Sequence, residues 1–311
     1  MDLSLGTRLR LGVSSCLLGE AVRYDGSDEH DHWVADRFGP MVEWVRVCPE
    51  AEAGLGVPRP KIQLESADGS VRVREVEATT DHTERLQGWA DERLGDLDLE
   101  ALDGYVFKAR SPSCGVNGVD VFDGGTAIDR ARGFFAERLL AVAPQLPTCD
   151  EDDVQVPERR RHFLERAQAR ARWRHRIATL PADAVDRAEA VADLLDRHAL
   201  LLACRERTPI AFDRCGADNA ALRATGQLLA ERMYADPTVV GHVRALAVLF
   251  DRMHGVTAHE RAGLGVLIDQ VERGETDTEV ARQFARGLVL RAGDAWSRRQ
   301  HYLDPVPLAG L

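Results

Sequence analysis

Cys16, Cys48 and Cys114 each stand where an apolar run breaks into a turn: Cys16 after residues 9–15, Cys48 after residues 44–47 and Cys114 after residues 105–113. If those runs are strands of one parallel sheet, all three thiols arrive at its carboxyl edge, where open α/β sheets place their ligands. Three thiolates at one sheet edge suggest a metal site with one open position. The neighbours suit that use. Ser14 and Ser15 beside Cys16, and Ser111 and Ser113 beside Cys114, supply hydroxyl donors to a thiolate or an inorganic sulfide. Pro49 and Glu50 after Cys48 make a rigid turn and set a carboxylate two residues from a ligand, and Gly115 permits close backbone approach. The spacings of 32 and 66 residues match no local zinc or ferredoxin pattern, so only convergence in space makes the set a site.

Residues 1–150 alternate β-rich runs with helical patterns, the signature of βαβ units. Strands are expected over residues 9–13, 42–47, 104–109 and 119–122, and residues 71–76 alternate with period two as an edge strand. Helices are expected from Ser27 to Phe38, after a capping signal at Asp81 and Glu84, and from Ile128 to Ala143. The proline- and acid-rich stretch 144–153 reads as a boundary. Beyond it the period is helical throughout. Val185, Ala188, Ala192, Leu195, Ala199 and Leu202 mark one face, and Val239, Val243, Leu246, Phe250 and Met253 another. Thr257 with Glu260 is a capping box and Gly274 a helix stop. The expected fold is an α/β N-terminal domain with a mainly parallel sheet over 1–150, followed by an all-α helical domain over 151–311.

The chain of 311 residues is 44% hydrophobic and 29% charged, within the range of globular proteins. Its net charge of −11 argues against whole-surface binding to nucleic acid or anionic lipid. One segment differs: from Arg159 to Arg176 basic residues dominate around Phe163, Leu164 and Trp173. It reads either as a face for phosphates and bases or as a solvated helix. Lysine is almost absent. Lys61 and Lys108 are the only two, both near the cysteine turns, where a compact point charge has a use. Cys149, Cys204 and Cys215 have no motif around them and read as packing residues. His30, Asp31 and His32 read as solvated, and Asp123-Gly124-Gly125 as a turn. The first residues lack a basic stretch followed by an apolar one, and no run approaches the ~20 apolar residues of a spanning helix. A cytoplasmic protein with reduced thiols and no membrane association is expected.

The segments Ser14-Ser15-Cys16-Leu17-Leu18-Gly19-Glu20 through Val22-Arg23-Tyr24-Asp25-Gly26, then Val47-Cys48-Pro49-Glu50, Pro58-Arg59, and Lys108 through Ser111-Pro112-Ser113-Cys114-Gly115 resemble the thiouracil desulfidase family, also catalogued as domain of unknown function 523. The second half is similar to domain of unknown function 1722 at Arg197-His198, residues 222–230 and residues 299–305, with Ala199 where that family carries Lys. The first resemblance implies a [4Fe-4S] cluster held by Cys16, Cys48 and Cys114 with the fourth iron open. It implies Glu50 and Ser111 as catalytic residues, and Ser14, Arg23, Tyr24, Asp25, Lys108 and Ser113 as substrate contacts. The fused arrangement implies hydrolytic desulfidation of 4-thiouridine in tRNA, with the helical half holding the RNA. Free thiouracil or thionucleotides are the alternative substrates, and a different open-iron enzyme such as a dehydratase is the alternative enzyme. A non-catalytic metal sensor or a helical partner-binding module are the readings without catalysis.

Overall fold

Strands run over Leu9–Ser14 (β1), Val42–Val47 (β2), Ile62–Ala67 (β3), Ser70–Glu75 (β4), Gly104–Phe107 (β5), Val119–Asp123 (β6), Thr126–Ala131 (β7) and Thr148–Asp150 (β8). Helices Pro49–Glu52 (α1), Thr83–Asp96 (α2), Phe134–Val142 (α3), Glu151–Gln155 (α4) and Pro157–Trp173 (α5) lie between and after them. These elements come from a computed structural model that describes residues 8–78, 80–178, 187–207 and 219–303. Packing divides them into two compact units, one of the described residues through Gln168 and one from Ala169 onward.

The first unit is built on a sheet of order β2-β1-β5-β8 in which every neighbouring pair is parallel. A parallel sheet is covered on both faces, which explains why β5 is buried along its whole length and β1 nearly so. Tyr105 and Phe107 of β5 pack against Ala90 and Leu94 of α2 and Phe135 and Leu139 of α3. Each such burial contributes about 1.5–3 kcal/mol. Gly12 in β1 makes room for this layer, since a Cβ there would lie 2.1 Å from Cδ2 of Tyr105. A second sheet of order β4-β3-β6-β7 has β4 at one edge, as the period-two pattern predicts, and closes its own small core around Leu64, Val73 and Val121.

Several expectations need correction. The helix expected from Ser27 starts at His32 instead, because Asp28 takes the His30 N–H (2.9 Å) in a turn and Asp31 takes the Val34 N–H (2.9 Å) as the cap. Asp81 makes no box with Glu84; it accepts from the N–H of Thr83 and pairs with Arg74. The run expected as one helix from Ile128 is β7 followed by α3. The Asp123-Gly124-Gly125 turn, with both glycines at positive φ, sends β7 back antiparallel to β6. The stretch 144–153 supplies β8, the parallel edge strand beside β5, and the capped start of α4. The acidic cluster there is a helix N-terminus and not a spacer.

The second unit is helical: Arg187–Arg197 (α6), Ala199–Ala203 (α7), Asn219–Tyr234 (α8), Val239–Asp251 (α9), Ala258–Glu272 (α10) and Thr278–Ala292 (α11). Its core gathers Leu194, Leu201, Leu246, Leu249, Leu288 and Tyr302. The buried face of α6 runs through Val191, Leu194 and Leu195, while Ala192 is exposed, and on α9 Val239 is exposed while Ala245 and Leu249 are buried. Thr257 and Glu260 form the expected capping box and Gly274 takes positive φ after α10. Val185, Cys215, Asp304 and Pro305 lie outside the described residues. No helix of the described residues is long and apolar enough to cross a membrane.

Candidate active site

The parallel ladder delivers the cysteines together. Ser14 at the end of β1 is in register with Val47 at the end of β2, so Cys16 and Cys48 leave from adjacent strand ends, and β5 pairs with β1 on its other side. The chain order reverses between β1 and β5, and there a crevice opens at the carboxyl edge. Each thiol sits in a built turn. The Cys16 carbonyl accepts from the N–H groups of Gly19 (3.1 Å) and Glu29 (3.0 Å). Cys48 is the N-cap of α1, its own N–H donating to Glu52 Oε1 (2.7 Å). The Cys114 turn rests on the start of α3, whose Phe134 and Phe135 N–H groups donate to the carbonyls of Pro112 (3.1 Å) and Ser113 (3.0 Å). Gly133 permits that contact, since a Cβ on it would fall 2.6 Å from the Ser113 carbonyl carbon.

All three thiols line one cavity of about 350 Å³, in the range of small-molecule sites. Burial pushes the Cys16 thiol up to about 11, with the neighbouring Cys48 adding to the rise. Cys48 and Cys114 are raised as well, again chiefly by burial, and Cys114 also by Cys16 and Cys48. Three thiols that oppose one another's ionisation, with Ser14 bonded to Cys114, form a donor set that a cationic iron–sulfur core satisfies. No trio of His, Cys, Asp or Glu among the described residues is spaced for a single metal ion. Three cysteine thiols on one cavity wall are the donor type an iron–sulfur cluster takes.

Glu50 stands on the same wall, with both oxygens held. Ser113 Oγ donates to Oε1 (2.6 Å) and Arg59 Nε to Oε2 (2.8 Å). Arg59 is almost fully enclosed and its Nη1 also donates to the carbonyls of Val22 (2.9 Å) and Gly56 (3.0 Å). The Val22 carbonyl in turn accepts from the Cys48 thiol (3.7 Å). Carboxylate, guanidinium and ligand turn are thus one hydrogen-bonded assembly. Ser111 lines the cavity, and its oxygen accepts from the N–H groups of Ser113 (3.2 Å) and Cys114 (3.1 Å).

The other expected contacts divide. Ser14, Arg23, Tyr24 and Lys108 line the cavity; Ser113 is buried behind Glu50, and Asp25 is exposed off the wall, closing a turn on Ser27. Lys108 is ion-paired with Glu151, whose other oxygen accepts from the Ala109 N–H (2.6 Å). Arg23 is paired with Glu29. Arg59, Lys61 and Glu151 were outside the expected site residues. The rarity of lysine pointed to Lys61, and the Pro58-Arg59 motif to Arg59. Nothing in the sequence connected Glu151 with Lys108, because they meet only through the pairing of β5 with β8. The basic segment divides: Arg160, Arg161 and Arg166 are buried, Phe163 and Leu164 are core and Trp173 packs on Gly226, whereas Arg159 is exposed and Arg170, Arg172, Arg174, His175 and Arg176 are half-buried. Arg160 stacks on Trp33 at 3.8 Å and Arg159 pairs with Asp153. His30 and His32 are exposed and share Asp36. Cys149 and Cys204 are buried packing residues.

Residues 11–151, which include every residue of the cavity wall, match the family model described as 2-thiouracil desulfurase. A solved structure titled as that of a [4Fe-4S]-dependent thiouracil desulfidase, TudS, is 28% identical over 48% of this chain and 94% of its own, with a TM-score of 0.38. No curated protein matches the chain.

Proposed function

We propose that the chain is a [4Fe-4S]-dependent desulfidase that replaces the thiocarbonyl sulfur of a thiolated nucleobase with oxygen from water, releasing hydrosulfide with no net redox change. The observation that carries this reading is the convergence of Cys16, Cys48, Cys114 and Glu50 on one cavity within the segment that matches the desulfurase family. A cluster held by the three cysteines would supply an open iron, a soft Lewis acid for sulfur. The protein supplies the rest. Glu50 takes the proton of the attacking water, and Ser113 and Arg59 hold its carboxylate in one orientation for that transfer. Ser111 keeps the Cys114 turn closed through its two backbone bonds. Tyr24 stands on the cavity wall.

Thiouridine in tRNA is the substrate that the fused helical half suggests. Arg160, Arg161 and Arg166 of the basic segment are buried while Arg159 is exposed, and the cavity itself has room for a small thionucleotide. A reducing cytoplasm, where thiols stay available to a cluster, suits the reading. The test is anaerobic reconstitution with iron and sulfide, followed by 2-thiouracil, 4-thiouridine monophosphate and thiolated tRNA in turn. Mass spectrometry of the base and colorimetry of sulfide should report equal amounts of oxygenated base and hydrosulfide. Cys114→Ala should give neither. A bound cluster that converts none of the three would end the reading.

A further inference from the structure

Five cationic side chains, Arg23, Arg59, Lys61, Lys108 and Arg110, line the cavity against two carboxylates, Glu29 and Glu50, in a chain whose net charge is −11. Four of the five are engaged by acids: Arg23 by Glu29, Arg59 by Glu50, Lys108 by Glu151 and Arg110 by Asp152. Lys61 is the exception. Among the described residues no carboxylate pairs with it, and its Nζ lies 5.0 Å from the centroid of the Tyr24 ring. The place of that pair is determined by backbone bonds. The Arg59 N–H donates to the Tyr24 carbonyl (2.7 Å), and the Lys61 carbonyl accepts from Val76 N–H (2.8 Å) as β3 begins. A chain that uses arginine for nearly every other positive charge keeps both of its lysines on this one wall.

We propose that Lys61, beside the face of Tyr24, is an anion subsite at the cavity that receives the phosphate of a thionucleotide, making it a specificity-determining residue. The inference rests on the desulfidase reading for the identity of the base, and on the cavity's charge map for the phosphate. Lys108 and Arg23, the cations the sequence pointed to, have their charge met by acids of the chain. Lys61 is exposed and no carboxylate among the described residues pairs with it, so a phosphate oxygen meets it without displacing an internal partner. A mononucleotide's terminal phosphate and an RNA phosphodiester present the same chemistry to it.

The test separates phosphate recognition from desulfidation. Uridine monophosphate and uridine, which have no sulfur to lose, are titrated calorimetrically into the reconstituted full chain, its Lys61→Gln variant and its Lys61→Arg variant. The monophosphate is expected to bind about tenfold more tightly than the nucleoside, a charge-assisted contact's share. That increment should vanish in Lys61→Gln, survive largely in Lys61→Arg and shrink with added salt. Equal binding of the two ligands, or an increment that persists in Lys61→Gln, overturns the subsite. In turnover, a Lys61-dependent preference for 4-thiouridine monophosphate over 4-thiouridine supports a terminal phosphate. Dependence seen only with a thiolated oligonucleotide supports the subsite with the phosphodiester as its source. Lys61-dependent binding of uridine monophosphate without any sulfur release would keep the subsite and remove the desulfidase reading.

Discussion

Glu50 has two bonded oxygens and therefore one orientation, which makes its removal separable from the loss of its supports. Glu50→Gln should lower kcat by about 10²–10⁴-fold while the visible absorption of the reconstituted cluster stays unchanged. The two serines should behave differently from each other. Ser113→Ala frees one oxygen of Glu50 and is expected to slow turnover by about tenfold at full cluster content. Ser111→Ala leaves the N–H groups of Ser113 and Cys114 without their acceptor, so iron content per chain should fall before any rate is compared. The sequence pointed to Ser111 as the catalytic hydroxyl, yet the side chain that touches Glu50 is Ser113. Both flank Pro112, and only the fold decides which one reaches Glu50.

The Cys114 turn and α3 are joined so closely that one methyl group tests the junction. In Gly133→Ala the new Cβ would lie 2.6 Å from the Ser113 carbonyl carbon and 2.9 Å from the Cys114 nitrogen. The backbone must shift, at a cost of about 1–3 kcal/mol, with a fall in the denaturant midpoint and in iron content. An unchanged iron content would mean that the turn is not held by α3. This junction also marks the limit of what the sequence shows. The three cysteine-bearing strand ends were legible because β1 and β5 are buried, mostly apolar strands closed by turns, the trace a covered parallel strand leaves, and because the edge strand β2 carries Val42, Trp44, Val45 and Val47 in a short run ended by Cys48-Pro49. Strand β7 was hidden because Thr126–Ala131 is polar and almost wholly exposed, with no apolar face to set a period. Strand β8 was hidden by brevity: Thr148–Asp150 is three residues, and its place is set by pairing to β5. The start of the helix at His32 was missed because Ser27, Asp28 and Asp31 all offer cap side chains, and Asp31 caps the helix while Asp28 closes a turn on His30.

One buried group in each compact unit responds to acid in the opposite sense from the other. Burial and the neighbouring acids push Asp150 of the first unit up to about 6 from its ordinary 3.8. The fold therefore favours its protonated form; that contribution is complete below about pH 3.8 and is lost as pH rises through about 6. Burial, with Arg172, Arg197 and Arg176 nearby, holds His301 of the second unit down at about 2 from 6.5. Its neutral form belongs to the fold, so that contribution is present above pH 6.5 and is lost as pH falls. Lowering pH from about 7 to about 5 should thus weaken the helical unit relative to the sheet unit, measured as faster amide hydrogen exchange in α6 and α11 than in β1 and β5. Replacing His301 with Phe should flatten the response of the helical unit, and Asp150→Asn, which keeps a capping oxygen, that of the sheet unit.

The thiols come from strand ends far apart in the chain, and this imposes an order in time. During synthesis Cys16 and Cys48 emerge first, and Cys114 follows 66 residues after Cys48, a delay of roughly 3–13 s at ribosomal rates of about 5–20 residues per second. Until then the nascent chain carries two thiols that cannot complete the triad, and β5 is not yet available to align them. Glu151, which engages Lys108, comes later still. On the proposed function, iron and sulfide could be captured by all three cysteines only after β5 has joined the sheet, and until then Cys16 and Cys48 stand as two ligands without their third.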